Sequence, residues 1–80
     1  SRVNRRFRHY RRASVQLVER VLGAVRGLPA IYREPFVLRH LEGWSYRQIG
    51  EALDLPAETV ETRLVRARRL LREALMGLRD

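Results

Sequence analysis

The chain has 80 residues, with 17 arginines, no lysine, no cysteine, nine acids and a net charge of +8. That length holds one small domain with a modest core and no room for a deep catalytic cavity. The lack of cysteine excludes disulfides and thiolate metal sites, no apolar run approaches the roughly 18 residues of a membrane span, and no signal peptide is visible.

The positive charge favours an anionic partner, and it is unevenly spread. Residues 1–12 hold six arginines and no acid, residues 13–56 five of each, and residues 57–80 six arginines and four acids. The middle is a neutral scaffold, and the excess lies in an N-terminal segment and the last helix. Arginine forks onto phosphates and guanine edges in a way lysine cannot. A GC-rich genome also produces arginine in place of lysine, so the charge carries the inference more than the choice of residue.

In chain order, SRVNRRFRHYRR has no helical apolar stripe and reads as a flexible basic arm or linker over residues 1–13. A folded domain is expected from 14 to 80. Val15, Val18, Leu22 and Val25 share one helix face, which predicts a first helix over residues 14–26 with Gly27 as its stop. Pro29 opens a second helix, with Ile31, Tyr32, Phe36, Val37, Leu38 and Leu41 on its apolar side. Pro35 removes a helical hydrogen bond and predicts a loose turn or kink. Gly43 ends that helix.

Ser45 and Gln48 form a capping box that starts a third helix, with Ile49, Ala52 and Leu53 facing inward. Gly50 is a poor helix former, and its presence predicts a close approach by another helix. Asp54 is one of the few non-glycine types that tolerate a left-handed turn. The last helix carries the clearest stripe, Val60, Leu64, Ala67, Leu71, Ala74 and Leu78, and runs to about Met76. Glu58, Glu61, Thr62, Val65, Arg66 and Arg69 fall on its far side, with Arg63 at the edge of the stripe. Its far end outruns the core and should be exposed.

A close-packed helix pair, a tight turn and an apolar-backed second helix make a helix-turn-helix. The predicted fold is therefore an all-α, four-helix domain containing that motif. Ile49, Gly50, Leu53, Leu55, Val60 and Leu64 fill its packing positions. No acid pair, nucleophile–base pair or metal-ligand spacing is present, so neither an enzyme nor a metal or cofactor site is expected. His40 reads as a surface residue; Trp44 reads either as a cover over the core edge or as a surface for a protein partner.

The blocks Leu28-Pro29, VLRHLEG, SYRQIGEAL and TVETRLVRARRLLR stand in order across residues 15–76. Together they resemble region 4 of a bacterial sigma factor of the extracytoplasmic-function (ECF) type. The resemblance implies recognition of the promoter −35 element, docking on the β-flap of the RNA polymerase core, an anti-sigma factor as a further candidate partner, and a cytoplasmic location. Carried over residue by residue, it assigns Thr59, Glu61, Thr62, Arg63, Val65, Arg66 and Arg69 to the DNA interface, with Arg47 and Gln48 at the phosphate backbone. The sequence departs from the family where Glu61 replaces a common lysine or arginine, Glu58 a common glycine, and Pro56 the usual cap. Glu61 either accepts a hydrogen bond from cytosine N4 or merely suits the helix dipole. The alternative function is a protein-interaction module with little DNA affinity, its acids repelling the duplex. A response-regulator output domain shares the motif but matches the approach LP…VLR…EG less well.

Overall fold

The computed structural model describes the backbone of residues 2–77 and the side chains of residues 14–77. The described residues form four helices and no strand: α1 Arg2–Arg26, α2 Ala30–His40, α3 Tyr46–Leu53 and α4 Ala57–Met76. The expected all-α architecture is the one observed.

Helix α1 departs from expectation at its start. It begins at Arg2, not at residue 14, so the basic segment and the first helix are one continuous element. Arginine is a good helix former, and nothing in the arginine run breaks a helix; the apolar stripe that signals helix in the sequence is simply absent there. The stripe itself is only partly used. Val25 is buried and Leu22 half-buried, whereas Val15 and Val18 are about half exposed. The core ends before α1 does.

Helix α2 starts after Pro29, which occupies the N-cap and not the first helical position. The helix runs through Pro35 without a break, and Pro35 is fully buried. Ile31 and Leu41 were expected inside and are exposed. They sit at the two ends of an 11-residue helix, where neighbours cover only the middle. The chain leaves α2 through Gly43, which takes a φ of +75°, a conformation that suits glycine. The Trp44 N–H then returns to the Leu38 carbonyl at 2.9 Å.

The capping box of α3 forms in full. The Gln48 N–H donates to Ser45 Oγ at 3.1 Å, and the Ser45 N–H donates to Gln48 Oε1 at 2.8 Å. Ile49 is fully buried and Leu53 half-buried, but Ala52 is exposed. Asp54 takes the left-handed conformation, φ 56° and ψ 52°. Gly50 does mark a close approach, though the tightest neighbour is the turn, with Val60 of α4 further off at 3.8 Å. A Cβ there would lie 2.6 Å from the Leu55 carbonyl oxygen, and the Leu55 N–H donates to the Gly50 carbonyl at 2.8 Å.

Two clusters make the core, and α4 belongs to both. Val25, Leu28, Ala67 and Leu71 form one; Ile49, Val60 and Leu64 form the other, with Leu38, Trp44, Leu53 and Leu55 packed on it. Phe36 touches both and joins them. Trp44 is half-buried against the second cluster, the core-edge role of the two expected for it. The α4 stripe thus holds α3 with its N-terminal half and α1 and α2 with its C-terminal half. It ends one turn sooner than expected: Ala74 is exposed, because no other helix reaches it, and Leu78 lies outside the described residues. The exposed end expected for α4 is seen at Met76, 64% exposed.

Two substitutions test this packing. Leu64 is fully buried, and Leu64→Ala is expected to cost about 2–5 kcal/mol, enough to lower the thermal midpoint by many degrees in so small a domain. Gly50→Ala forces Cβ against a backbone oxygen and is expected to destabilise as well, although alanine is the better helix former. A melt of Gly50→Ala at or above the wild-type midpoint would show that the turn yields freely.

Candidate nucleic-acid interface

The exposed front of α4 is set by the burial of its back. Val60, Leu64, Ala67 and Leu71 point into the core, so at about 100° per residue the opposite face carries Glu58, Thr62, Val65 and Arg69. Those four, together with Glu61 and Arg66, are exposed as expected. Thr59 and Arg63 are half-buried on one flank. There they line a shallow groove with Glu58, Thr62 and Arg66 on α4 and Ile31 and Tyr32 on α2. Sequence reading missed Ile31 and Tyr32 as part of this surface. Their apolar character placed them in the core, where Tyr32 does pack on the first cluster, and only the crossing of α2 over α4 brings both to the rim.

The first turn of α4 has unusual chemistry. Pro56 is its N-cap and offers no side-chain hydrogen bond. Glu58 lies in that turn, where a carboxylate suits the positive end of the helix dipole. Thr62 Oγ1 donates to the Glu58 carbonyl at 3.0 Å. Among the described residues neither Glu58 nor Glu61 has an ionic partner; the salt bridge found there joins Arg47 Nε and Glu51 Oε1 at 3.3 Å.

Arg47 and Gln48 stand on the other side of the motif, in the first turn of α3, and both are exposed. The Gln48 side-chain carbonyl is occupied by the capping box, leaving only its amide hydrogens free to donate. The Arg47–Glu51 pair is 88% and 69% exposed. A pair so open to water is weak, so Arg47 can exchange it for another anion. The candidate residues thus do not form one cluster. They form a central face on α4 with a flank on either side, Arg63 and Arg66 on one and Arg47 on the other.

A second surface lies around the C-terminal half of α4, where Phe36, Val65, Leu71 and Leu75 form an apolar groove edged by Arg68 and Arg72. Near it the Phe36 and His40 rings pack with centroids 4.6 Å apart, tilted by 42°. Arg39 lies 5.0 Å from the centre of the Tyr46 ring and donates from Nη1 to the Trp44 carbonyl at 2.9 Å. His40 is an exposed residue, as expected. Desolvation, then the guanidinium charges of Arg68 and Arg39, hold its pKa below the ordinary 6.5. The positive field at this edge is therefore felt by a neighbouring group.

The fold and this face define a helix-turn-helix domain with an arginine-bearing second helix. The family model described as Sigma-70, region 4 matches residues 18–71, and the chain belongs to that family, as a region 4 domain of the ECF type. It is 35% identical over 65 residues to the ECF RNA polymerase sigma-E factor of Haemophilus influenzae, covering 81% of this chain and 34% of that protein. Against the ECF RNA polymerase sigma factor SigW of Bacillus subtilis it is 37% identical over 65 residues, covering 81% and 35%. Against the ECF RNA polymerase sigma-E factor of Escherichia coli K12 the match is 38% over 55 residues, covering 69% and 29%. The chain spans about a third of the length of these curated relatives.

The lowered His40 pKa gives a signed prediction. Folding favours the neutral imidazole, so its contribution to stability is present above pH 6.5 and is lost as the pH falls through the folded-state midpoint. An NMR titration of the imidazole is expected to give a midpoint below 6.5, and Arg68→Ala should move it upward. A midpoint unmoved by Arg68→Ala would mean that the two groups do not interact.

Proposed function

We propose that the chain reads the promoter −35 element and recruits RNA polymerase to it, in the cytoplasm and without catalysis. The observation that carries this is the front of α4: its back is closed by Ile49, Leu53 and Leu55 through Val60 and Leu64, while Arg66 and Arg69 stand exposed. A helix so backed projects into a major groove about 12 Å wide. Membership of the sigma-70 region 4 family supports the reading, as do relatives named as RNA polymerase sigma factors.

In this reading Glu61, Thr62, Val65, Arg66 and Arg69 face the bases. Thr59 and Arg63 hold one side of the groove, and Arg47 and Gln48 meet phosphates on the other. The basic first half of α1 adds to the long-range attraction. The groove of Phe36, Leu71 and Leu75, with Arg68 and Arg72 at its edge, suits an apolar helix bearing acids. We assign it to the β-flap of the polymerase core, with an anti-sigma factor as a competitor for the same surface. The acids Glu58 and Glu61 favour the second reading, a protein-binding module that does little on DNA alone.

Salt separates the two. If Arg47 and Arg63 neutralise phosphates, log K for promoter duplex falls linearly with log salt, and each arginine-to-alanine change flattens the slope by about one unit. Fluorescence anisotropy of a labelled duplex over a salt series measures this. An affinity independent of salt, with polymerase-core binding retained, would select the protein-binding reading.

A further inference from the structure

If α4 enters the major groove as proposed above, the order of hydrogen-bonding groups along its front restricts which bases it can meet. Glu58 and Glu61 are both exposed, and helical spacing gives neither an arginine. The positions three and four residues on, where a helical ion pair forms, are Glu61 and Thr62 for Glu58, and Leu64 and Val65 for Glu61. The carboxylates are therefore left as open acceptors.

Thr62 joins them for a different reason. A hydroxyl has one hydrogen to donate, and that of Thr62 is held by the Glu58 carbonyl at 3.0 Å. Outward it offers only lone pairs and a methyl group. The first half of the exposed front is thus acceptor-only. Past Val65, Arg66 and Arg69 are exposed and offer only donors. The centres of the two sets lie about 10 Å apart along the helix, roughly three base-pair steps.

The major-groove edges that donate are the amino groups of cytosine and adenine; guanine O6 and N7 and thymine O4 accept. A carboxylate set before a guanine or thymine edge meets acceptor with acceptor, inside a groove already lined by phosphate charge. Only an amino group offsets that repulsion. We propose that α4 reads an ordered site: cytosine or adenine opposite Glu58, Glu61 and Thr62, and guanine opposite Arg66 and Arg69. The acids exclude acceptor edges as much as they bind donor edges.

This inference rests on the DNA reading, and the test keeps the two apart. The full 80-residue chain is used to select from duplexes carrying a random segment, and the bound fraction is sequenced. The wild type is expected to retain adjacent positions restricted to cytosine or adenine, with guanine about three steps away. Glu61→Gln adds an amide donor and is expected to admit guanine or thymine at one of those positions. Discrimination there should fall about 5- to 150-fold, with the guanine end unchanged. Thr62→Val, which removes the hydroxyl but keeps the shape, should relax a neighbouring position instead. Guanine preferred along the whole site would overturn the proposal, as would variants that tighten all duplexes alike with the base profile intact. A chain that retains no duplex above random would overturn the DNA reading itself.

Discussion

The contact on which the rest depends is the one between Gly50 and Leu55. The Leu55 carbonyl oxygen lies where a side chain at position 50 would begin, 2.6 Å from an ideal Cβ. The Leu55 N–H closes the same turn onto the Gly50 carbonyl. Asp54 supplies the left-handed residue that reverses the chain. These three features bring the start of α4 down onto α3, so that Val60 and Leu64 meet Ile49 with no exposed surface left on any of them. Any loosening of that turn would tilt α4 and move its front.

Phe36 extends the constraint to the whole domain by packing on both clusters. Leu38 adds to this link by packing from α2 onto the second cluster. Among the described residues no buried polar or charged side chain interrupts the core, and no buried side-chain polar atom lacks a partner. The charged residues are left to the surface, where they tune contacts and not the fold. The stripe on α4 therefore works as a two-sided anchor, and the helix has little freedom to rotate about its axis.

That rigidity makes the charge pattern of α4 meaningful. Acids stand at the positive end of the helix dipole and arginines further along, an order the dipole itself favours. With Pro56 unable to cap by side chain, Glu58 adds negative charge in the first turn, where the unpaired N–H groups lie, and Glu61 follows one turn on. The same residues answer a local need of the helix and set the character of the surface it presents. The cationic edge at Arg39 and Arg68 lies apart from that front, and desolvation, with its field second, lowers the pKa of the His40 imidazole beside it.

Much of this was legible in the sequence, because it depends on local chemistry. Ser45 and Gln48 start α3 by bonds between neighbours, Asp54 turns the chain by its own backbone tolerance, and a 4-3-4-3 spacing marks the buried face of α4 in any environment. The region 4 resemblance rested on those same blocks. What the sequence could not determine were the limits of burial and the identity of contacts between distant residues. The stripe on α1 continues to Val15 and Val18 and that on α4 to Ala74, yet all three are exposed. A periodic pattern records which face could be buried, and only the neighbouring helices decide how far along it burial runs. Gly50 announced a close approach but not that the turn carbonyl of Leu55 makes it most tightly, ahead of Val60 on α4. Ile31 read as a core residue and is exposed, and Tyr32, which does pack on the first cluster, also lines the groove beside α4, because the crossing of α2 over α4 is a property of the packed helices together and is encoded in neither alone.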